Sequence, residues 1–156
     1  MNFKSAIAKV YLPPGLKFKS LLTMYSGALF SLYTNMDKNA SPIFRKALTD
    51  VGKTAAETMK KELNLKNTFE DAVDSWIIGS RALNITISLE KSHDEAVFTH
   101  VYCPMWEYFK KNGRILCEDV CIPVAEATVK EIYPEVKVVI LRYPDENNTC
   151  IKALKR

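Results

Sequence analysis

The chain has 156 residues, of which 47% are hydrophobic and 26% are charged, a composition typical of ordinary globular proteins. This composition excludes a disordered or fibrous chain, and the length predicts a single domain over residues 1–156 with one core. The net charge is +4, but basic and acidic residues are interleaved and no block of five like charges occurs. We therefore expect no nucleic-acid partner.

The N-terminal region bears on where the protein resides. The longest uncharged stretch, residues 20–36, carries several hydroxyl groups and is shorter than the roughly 20 residues that span a bilayer, so no membrane span is predicted. Lys4 and Lys9 interrupt the apolar run that a signal peptide needs, which predicts no export and a cytoplasmic location.

A cytoplasmic chain of this length does not need disulfides, so its four cysteines are predicted to be free thiols or metal ligands.

The N-terminal half is predicted to be helical. Leucines and a tyrosine recur at helical spacing and predict a core-facing helix over residues 18–35. Ser41-Pro42 starts a long apolar stripe and predicts a second helix that ends at Leu63. Gly52 inside it predicts the close approach of another helix, or a homodimer contact, at that face. Thr68 is the predicted N-cap of a third helix.

After Gly79 the apolar period changes from 3.6 to 2, which predicts strands. The runs 83–89 and 97–102 predict one hairpin, and the runs 136–141 and 150–154 predict a second. Two short helices are predicted between the hairpins, over 104–111 and 123–133. Helices first and strands later predict an α+β fold, with an antiparallel sheet of about four strands covered by the N-terminal helices.

The strongest chemical signal is the set His100, Cys103, Cys117 and Cys121, spaced H-x2-C-x13-C-x3-C. Two pairs of closely spaced ligands joined by a connector are typical of tetrahedral zinc sites. The spacing therefore predicts one zinc ion held by these four side chains. Because free cysteine also behaves as a small buried hydrophobe, inert thiols are an alternative interpretation.

A reactive thiol is a third interpretation of the same residues. Pro123 marks the start of a helix, so Cys121 lies where backbone N–H groups favour a thiolate, with His100 or His93 as its base. Two acidic residues just upstream oppose a negative charge there. The sequence leaves zinc ligand, inert thiol and nucleophile open.

Arg81 and Trp76 are candidates for binding a small molecule. Arg81 follows Gly79-Ser80 at a predicted helix-to-strand junction, where its guanidinium is suited to hold a ligand carboxylate. Trp76 precedes it on the same predicted helix. The alternative for Arg81 is a surface ion pair.

A family resemblance rests on the Cys103-Pro104 step, the run from Gly113 through Cys117-x3-Cys121, the helix after it and the last strand with Cys150. These features resemble the 4-vinyl reductase domain and the related L-2-amino-thiazoline-4-carboxylate hydrolase-like proteins, over about half of the chain. The resemblance implies an α+β small-molecule-binding fold, similar to that of small vesicle-tethering subunits, with the cysteines lining a pocket or holding zinc. Hydrolase-like members often carry an acidic residue three positions after the second cysteine of the C-x3-C pair, where this chain has Val124.

Together, the residues and the resemblance predict a small-molecule-binding domain of the 4-vinyl reductase type, with a zinc site and a sensing or ligand-binding role. One alternative is a thiol-dependent hydrolase of a small cyclic substrate, with Cys121 or Cys117 as nucleophile and His100 as base. Another is an interaction module without a site. The expected partners are a small-molecule ligand and a second copy of the chain in a homodimer.

Overall fold

The computed structural model describes residues 13–156, so the N-terminal lysines behind the export prediction lie outside the described range. Five α-helices occur within this range: α1 (Pro14–Asn35), α2 (Ser41–Leu63), α3 (Phe69–Ala82), α4 (Pro104–Lys111) and α5 (Ile122–Ile132). A short 3-10 helix, Lys38–Ala40, joins α1 to α2. A π-helical turn, Cys117–Cys121, leads directly into α5. None of these helices is long and apolar enough to cross a membrane.

In the described part of the chain, four strands form one antiparallel sheet: β1 (Thr86–Lys91), β2 (Glu95–Tyr102), β3 (Lys137–Arg142) and β4 (Ile151–Lys155). Their order in the sheet is β1-β2-β4-β3, so the two predicted hairpins pair side by side through β2 and β4. The α+β class and the antiparallel sheet of four strands are confirmed. The first strand begins later than predicted, because Leu83 forms the C-cap of α3.

The start of α3 is fixed by a capping box. The Thr68 hydroxyl accepts a hydrogen bond from the Asp71 backbone N–H at 3.1 Å, and the Asp71 carboxylate accepts one from the Thr68 backbone N–H at 3.0 Å. Each side chain thus satisfies a backbone donor that the helix leaves free. The N-cap predicted at Thr68 is confirmed.

Helices α2 and α5 pack very closely at Gly52. A Cβ atom added to Gly52 would lie only 2.4 Å from the Val124 carbonyl oxygen and 2.8 Å from the Ala127 Cβ. The Thr128 hydroxyl lies 3.0 Å from the Gly52 carbonyl oxygen and 2.9 Å from the Val124 carbonyl oxygen, so its one proton is shared between these two acceptors. The close approach predicted at Gly52 is therefore a contact between two helices of the same chain. The homodimer remains a prediction, and this contact does not support it.

The predicted core-facing stripe of α1 is only partly buried. Leu29 is buried, but Leu21 and Leu32 are 55% and 59% exposed. The reason is that α1, with 22 residues, packs chiefly against α4, which has only eight and cannot cover the whole stripe. On α2, Ile43 and Val51 are likewise exposed.

The helices cover one face of the sheet. Along β2, buried residues alternate with partly exposed ones, so Ala96, Phe98 and His100 all point toward the helices. Two clusters of buried side chains fill the space between the layers. One surrounds Trp76 beneath α3 and α5, and the other lies around Trp106 beneath α1 and α4.

Candidate ligand-binding site

A cavity of about 270 Å³ lies where the two clusters meet, between the helices and the sheet. Most of its wall is apolar, and the side chains involved include Met59, Trp76, Leu83, Met105, Val120 and Val124. The polar exceptions are His100, Cys121, Lys152 and four hydroxyl residues, Tyr25, Ser75, Ser80 and Thr128. An apolar cavity with a few polar groups is typical of a small-molecule site.

Helix α3 provides one wall of the cavity. Trp76, Gly79 and Ser80 are three or four positions apart, so they share one face of the helix. The Trp76 ring stacks on Phe98 of β2, with ring centroids 5.2 Å apart and an interplanar angle of 25°. This contact holds the indole in one orientation.

Strands β2 and β4 provide the polar end of the cavity. Phe98 and Lys152 are cross-strand partners. The His100 backbone N–H donates a hydrogen bond to the Cys150 carbonyl oxygen at 3.3 Å. Because side chains two positions apart in a strand share a face, His100 and Lys152 reach the same side of the sheet.

His100 is buried and incompletely hydrogen-bonded. Its Nδ1 atom lies 3.3 Å from the Cys150 sulfur, while its Nε2 atom has no hydrogen-bond partner among the described residues. Burial, together with the charge of Lys152, lowers the pKa of His100 to about 3, so the ring is neutral at physiological pH. A buried polar atom without a partner costs about 1–3 kcal/mol. A ligand that hydrogen-bonds to Nε2 would remove this cost.

Lys152 is a buried cation at the same end of the cavity. Its side chain is only 2% exposed. Within residues 13–156, no carboxylate forms an ion pair with it. Its amine lies 5.4 Å from the centroid of the Trp76 ring, a cation–π contact that compensates only part of the cost of burial. A negatively charged ligand group would supply the missing counter-charge.

The four cysteines are free thiols in different surroundings. Cys121 lines the cavity, whereas Cys103 and Cys117 are buried in the cluster beneath α1 and α4. The neighbouring Cys117 side chain and burial raise the pKa of Cys121, and burial raises the pKa of Cys103 to about 12. Burial also raises the pKa of Cys150. These three thiols stay protonated at neutral pH, which favours the inert-thiol interpretation over an activated nucleophile.

The predicted zinc ligands do not form a ready metal site. In the part of the chain that the structure describes, no three His, Cys, Asp or Glu side chains are grouped so that they could hold a metal ion. His100 instead contacts Cys150, which lay outside the predicted ligand set. Zinc binding stays a prediction that only metal analysis can test.

The structure separates the two predicted ligand-binding residues. Trp76 lines the cavity, as do His100 and Cys121 from the predicted metal set. Arg81 is exposed at the end of α3 and does not line the cavity. A role for Arg81 in binding stays a prediction.

Sequence reasoning missed Lys152, although the sequence carried a signal for it. In the closing strand, residues 150, 152 and 154 share one face by the period of 2. Cys150 and Leu154 are buried on that face, and so is the lysine between them. A lysine on a core-facing strand position is rare unless it has a partner.

Comparison with known proteins adds a family and a fold. A family model described as L-2-amino-thiazoline-4-carboxylic acid hydrolase matches residues 23–145. No curated protein matches the chain. Among solved structures, the chain is similar to trafficking protein particle complex subunit 3 from Naegleria fowleri, solved covalently bound to palmitic acid, with a TM-score of 0.60 and 14% identity. That match covers 86% of this chain and 92% of the other, and it confirms the predicted vesicle-tethering-like fold.

Proposed function

Because the chain belongs to the L-2-amino-thiazoline-4-carboxylic acid hydrolase family, we propose that it binds a compact small molecule with a carboxylate group in the cavity between helices and sheet. The observation that carries the proposal is Lys152, a buried cation at the polar end of an apolar cavity, with which no carboxylate among residues 13–156 forms an ion pair. A ligand carboxylate would neutralise this charge, and its apolar body would lie against Trp76.

The volume of the cavity limits the size of the ligand. A cavity of roughly 150 Å³ holds benzene, and drug-sized ligands occupy roughly 300–1,000 Å³. The 270 Å³ available here suits one ring with one or two substituents. The compound in the family's description, a five-membered ring with a carboxylate, is of this size.

The surroundings of Cys121 favour binding over hydrolysis. The raised pKa of Cys121 disfavours the thiolate that would attack a substrate. Val124 forms part of the cavity wall at the position where hydrolase-like proteins often carry an acidic residue, and none of the described residues that line the cavity is acidic. A sensing or ligand-binding role therefore agrees best with the site.

Hydrolysis is the second candidate, because the family's description names a hydrolase and because Cys121 and His100 line the same cavity. The test is incubation with L-2-amino-thiazoline-4-carboxylic acid, followed by mass spectrometry. Turnover that a Cys121→Ser variant loses and a Cys103→Ser variant keeps would support thiol-dependent hydrolysis. Saturable binding without turnover would support the binding role.

The test of binding is a titration followed by NMR, with the same compound and with benzoate, in wild type and in two variants of Gly79. A Cβ atom at Gly79 would have its nearest neighbour, the Met59 methyl carbon, at 3.9 Å, so Gly79→Ala fits and serves as the control. Gly79→Leu extends into the cavity and should weaken binding at least tenfold. Equal affinities in all three proteins would refute the proposal.

The charge requirement has its own test. Benzamide resembles benzoate in shape but is neutral. Because a hydrogen bond to a charged group contributes about 1.5–3 kcal/mol, wild type should prefer benzoate by roughly tenfold or more, and Lys152→Met should abolish the preference. If Lys152→Met still prefers benzoate over benzamide, a residue other than Lys152 recognises the charge.

Zinc is not required by this proposal. Elemental analysis of protein purified without added metal tests whether His100, Cys103, Cys117 and Cys121 bind about one zinc ion per chain. A homodimer, a cytoplasmic location, the absence of nucleic-acid binding and a 4-vinyl reductase role likewise stay predictions from the sequence. Light scattering tests whether the chain forms a homodimer.

A further inference from the structure

Cys150 and His100 are held together by contacts between the chain segments that carry them. The His100 backbone N–H donates to the Cys150 carbonyl oxygen, and the Thr149 hydroxyl donates to the His100 carbonyl oxygen. These contacts hold the Cys150 sulfur 3.3 Å from the Nδ1 atom of the ring. Both side chains are buried, with exposures of 5% and 6%. Within residues 13–156, the sulfur is the one hydrogen-bond partner of the ring.

The proton on the neutral ring can lie on either nitrogen. If Nδ1 carries it, Nδ1–H must donate to sulfur, and the thiol S–H is left without this acceptor. If Nε2 carries it, the thiol donates to Nδ1. Thiol sulfur is weak both as donor and as acceptor, so the strength of this single bond does not separate the two forms. The second arrangement leaves fewer buried groups unpaired, because the thiol proton and Nδ1 satisfy each other. Nε2, which has no hydrogen-bond partner among residues 13–156, is then a donor.

We propose that Cys150 is a positioning residue, whose thiol donates to Nδ1 of His100 and so fixes the tautomer that presents Nε2–H to a ligand acceptor. The ligand part of this inference rests on the proposed function, whereas the tautomer does not. His100 and Lys152 then both offer donors to the cavity. Two donors suit the two oxygens of a carboxylate, one of which accepts from Nε2–H and the other from the ammonium.

The tautomer is measured directly by NMR of ¹⁵N-labelled protein, from the two-bond couplings between the ring carbon protons and the two nitrogens. Wild type should show His100 protonated at Nε2. Cys150→Ser should keep this tautomer, since a serine hydroxyl also donates, whereas Cys150→Ala should show a mixture or the Nδ1–H form. Nδ1–H in wild type, or an unchanged tautomer in Cys150→Ala, would overturn the proposal.

A benzoate titration of the same three proteins tests the ligand part. Cys150→Ala should bind roughly tenfold more weakly, which corresponds to one lost hydrogen bond, and Cys150→Ser should bind within about twofold of wild type. A merely structural role would lower the melting temperature without changing the tautomer. Equal affinities in wild type and Cys150→Ala would refute the ligand part. If wild type does not bind benzoate or the thiazoline compound, the proposed function fails, and the NMR result still decides the role of Cys150.

Discussion

A methyl group at Gly52 should destabilise the protein, against the usual rule for helices. In an ordinary helix interior, Gly→Ala stabilises by about 1 kcal/mol, because alanine loses less conformational entropy on folding. At Gly52 the new Cβ would lie 2.4 Å from the Val124 carbonyl oxygen, whereas ordinary contacts begin at 3.4 Å. Helix α5 would have to move by about 1 Å.

The expected size of the effect follows from two costs. Overpacking of a close contact costs typically about 1–3 kcal/mol. The displacement also weakens the 3.0 Å contact of the Thr128 hydroxyl with the Gly52 carbonyl oxygen. Because the same proton can be donated to the Val124 carbonyl oxygen at 2.9 Å, this loss lies at the low end of the about 0.5–1.5 kcal/mol of a typical hydrogen bond. After the helix-propensity gain is subtracted, Gly52→Ala should lower the free energy of unfolding by about 1–3 kcal/mol.

Urea denaturation of wild type, Gly52→Ala and Gly79→Ala measures this effect. Gly79 is the matched control, because it also lies inside a helix but its nearest non-local atom would be 3.9 Å from the new Cβ. Gly79→Ala should be neutral or stabilising by up to about 1 kcal/mol. If the two variants were equally stable, the close packing of α2 on α5 would not be the reason for glycine at position 52.

Three further outcomes are expected. Burial lowers the pKa of His100 from 6.5 to about 3. Between these pH values the unfolded chain binds a proton at this side chain and the folded chain does not, so stability should fall as pH drops from about 6.5 toward 3. The loss should amount to at most about 5 kcal/mol, and urea titrations of His100→Gln should lack this contribution. In the folded protein at neutral pH, Cys103 and Cys121 should react slowly with iodoacetamide, because their thiols are protonated, and rapidly after unfolding; fast labelling of Cys121 in the folded state would contradict the raised pKa. Thr68→Ala should cost about 1 kcal/mol in thermal unfolding through loss of the capping box, while Thr68→Ser should cost much less.

Features that depend on neighbouring residues could be predicted from the sequence. The cap at Thr68 needs only Asp71, three positions away. The turn of the second hairpin needs only Asp145, whose carboxylate accepts hydrogen bonds from the backbone N–H groups of Asn147 and Asn148 at 2.7 Å each. Such signals are complete within a short segment.

Features that depend on distant residues could not be predicted in the same way. The spacing of His100 and Cys103 measures distance along the chain, but the pairing of β2 with β4 brings His100 to Cys150, 50 positions away. The extent to which α1 is buried depends on the length of α4, and the apolar pattern of α1 carries no information about that length. Three candidate residues, Trp76, His100 and Cys121, nevertheless lie around one cavity.

The pairing of β2 with β4 also has a consequence for the order of folding. Each hairpin can form by itself in roughly 1–10 μs, whereas β2 and β4 must meet across a long intervening chain, and such nonlocal contacts form slowly. His100 lies on one side of this junction and Lys152 on the other, so the polar end of the cavity is assembled only when the hairpins dock. A ligand that needs both residues binds after that step. We therefore expect benzoate to slow unfolding in stopped-flow experiments and to leave the refolding rate unchanged.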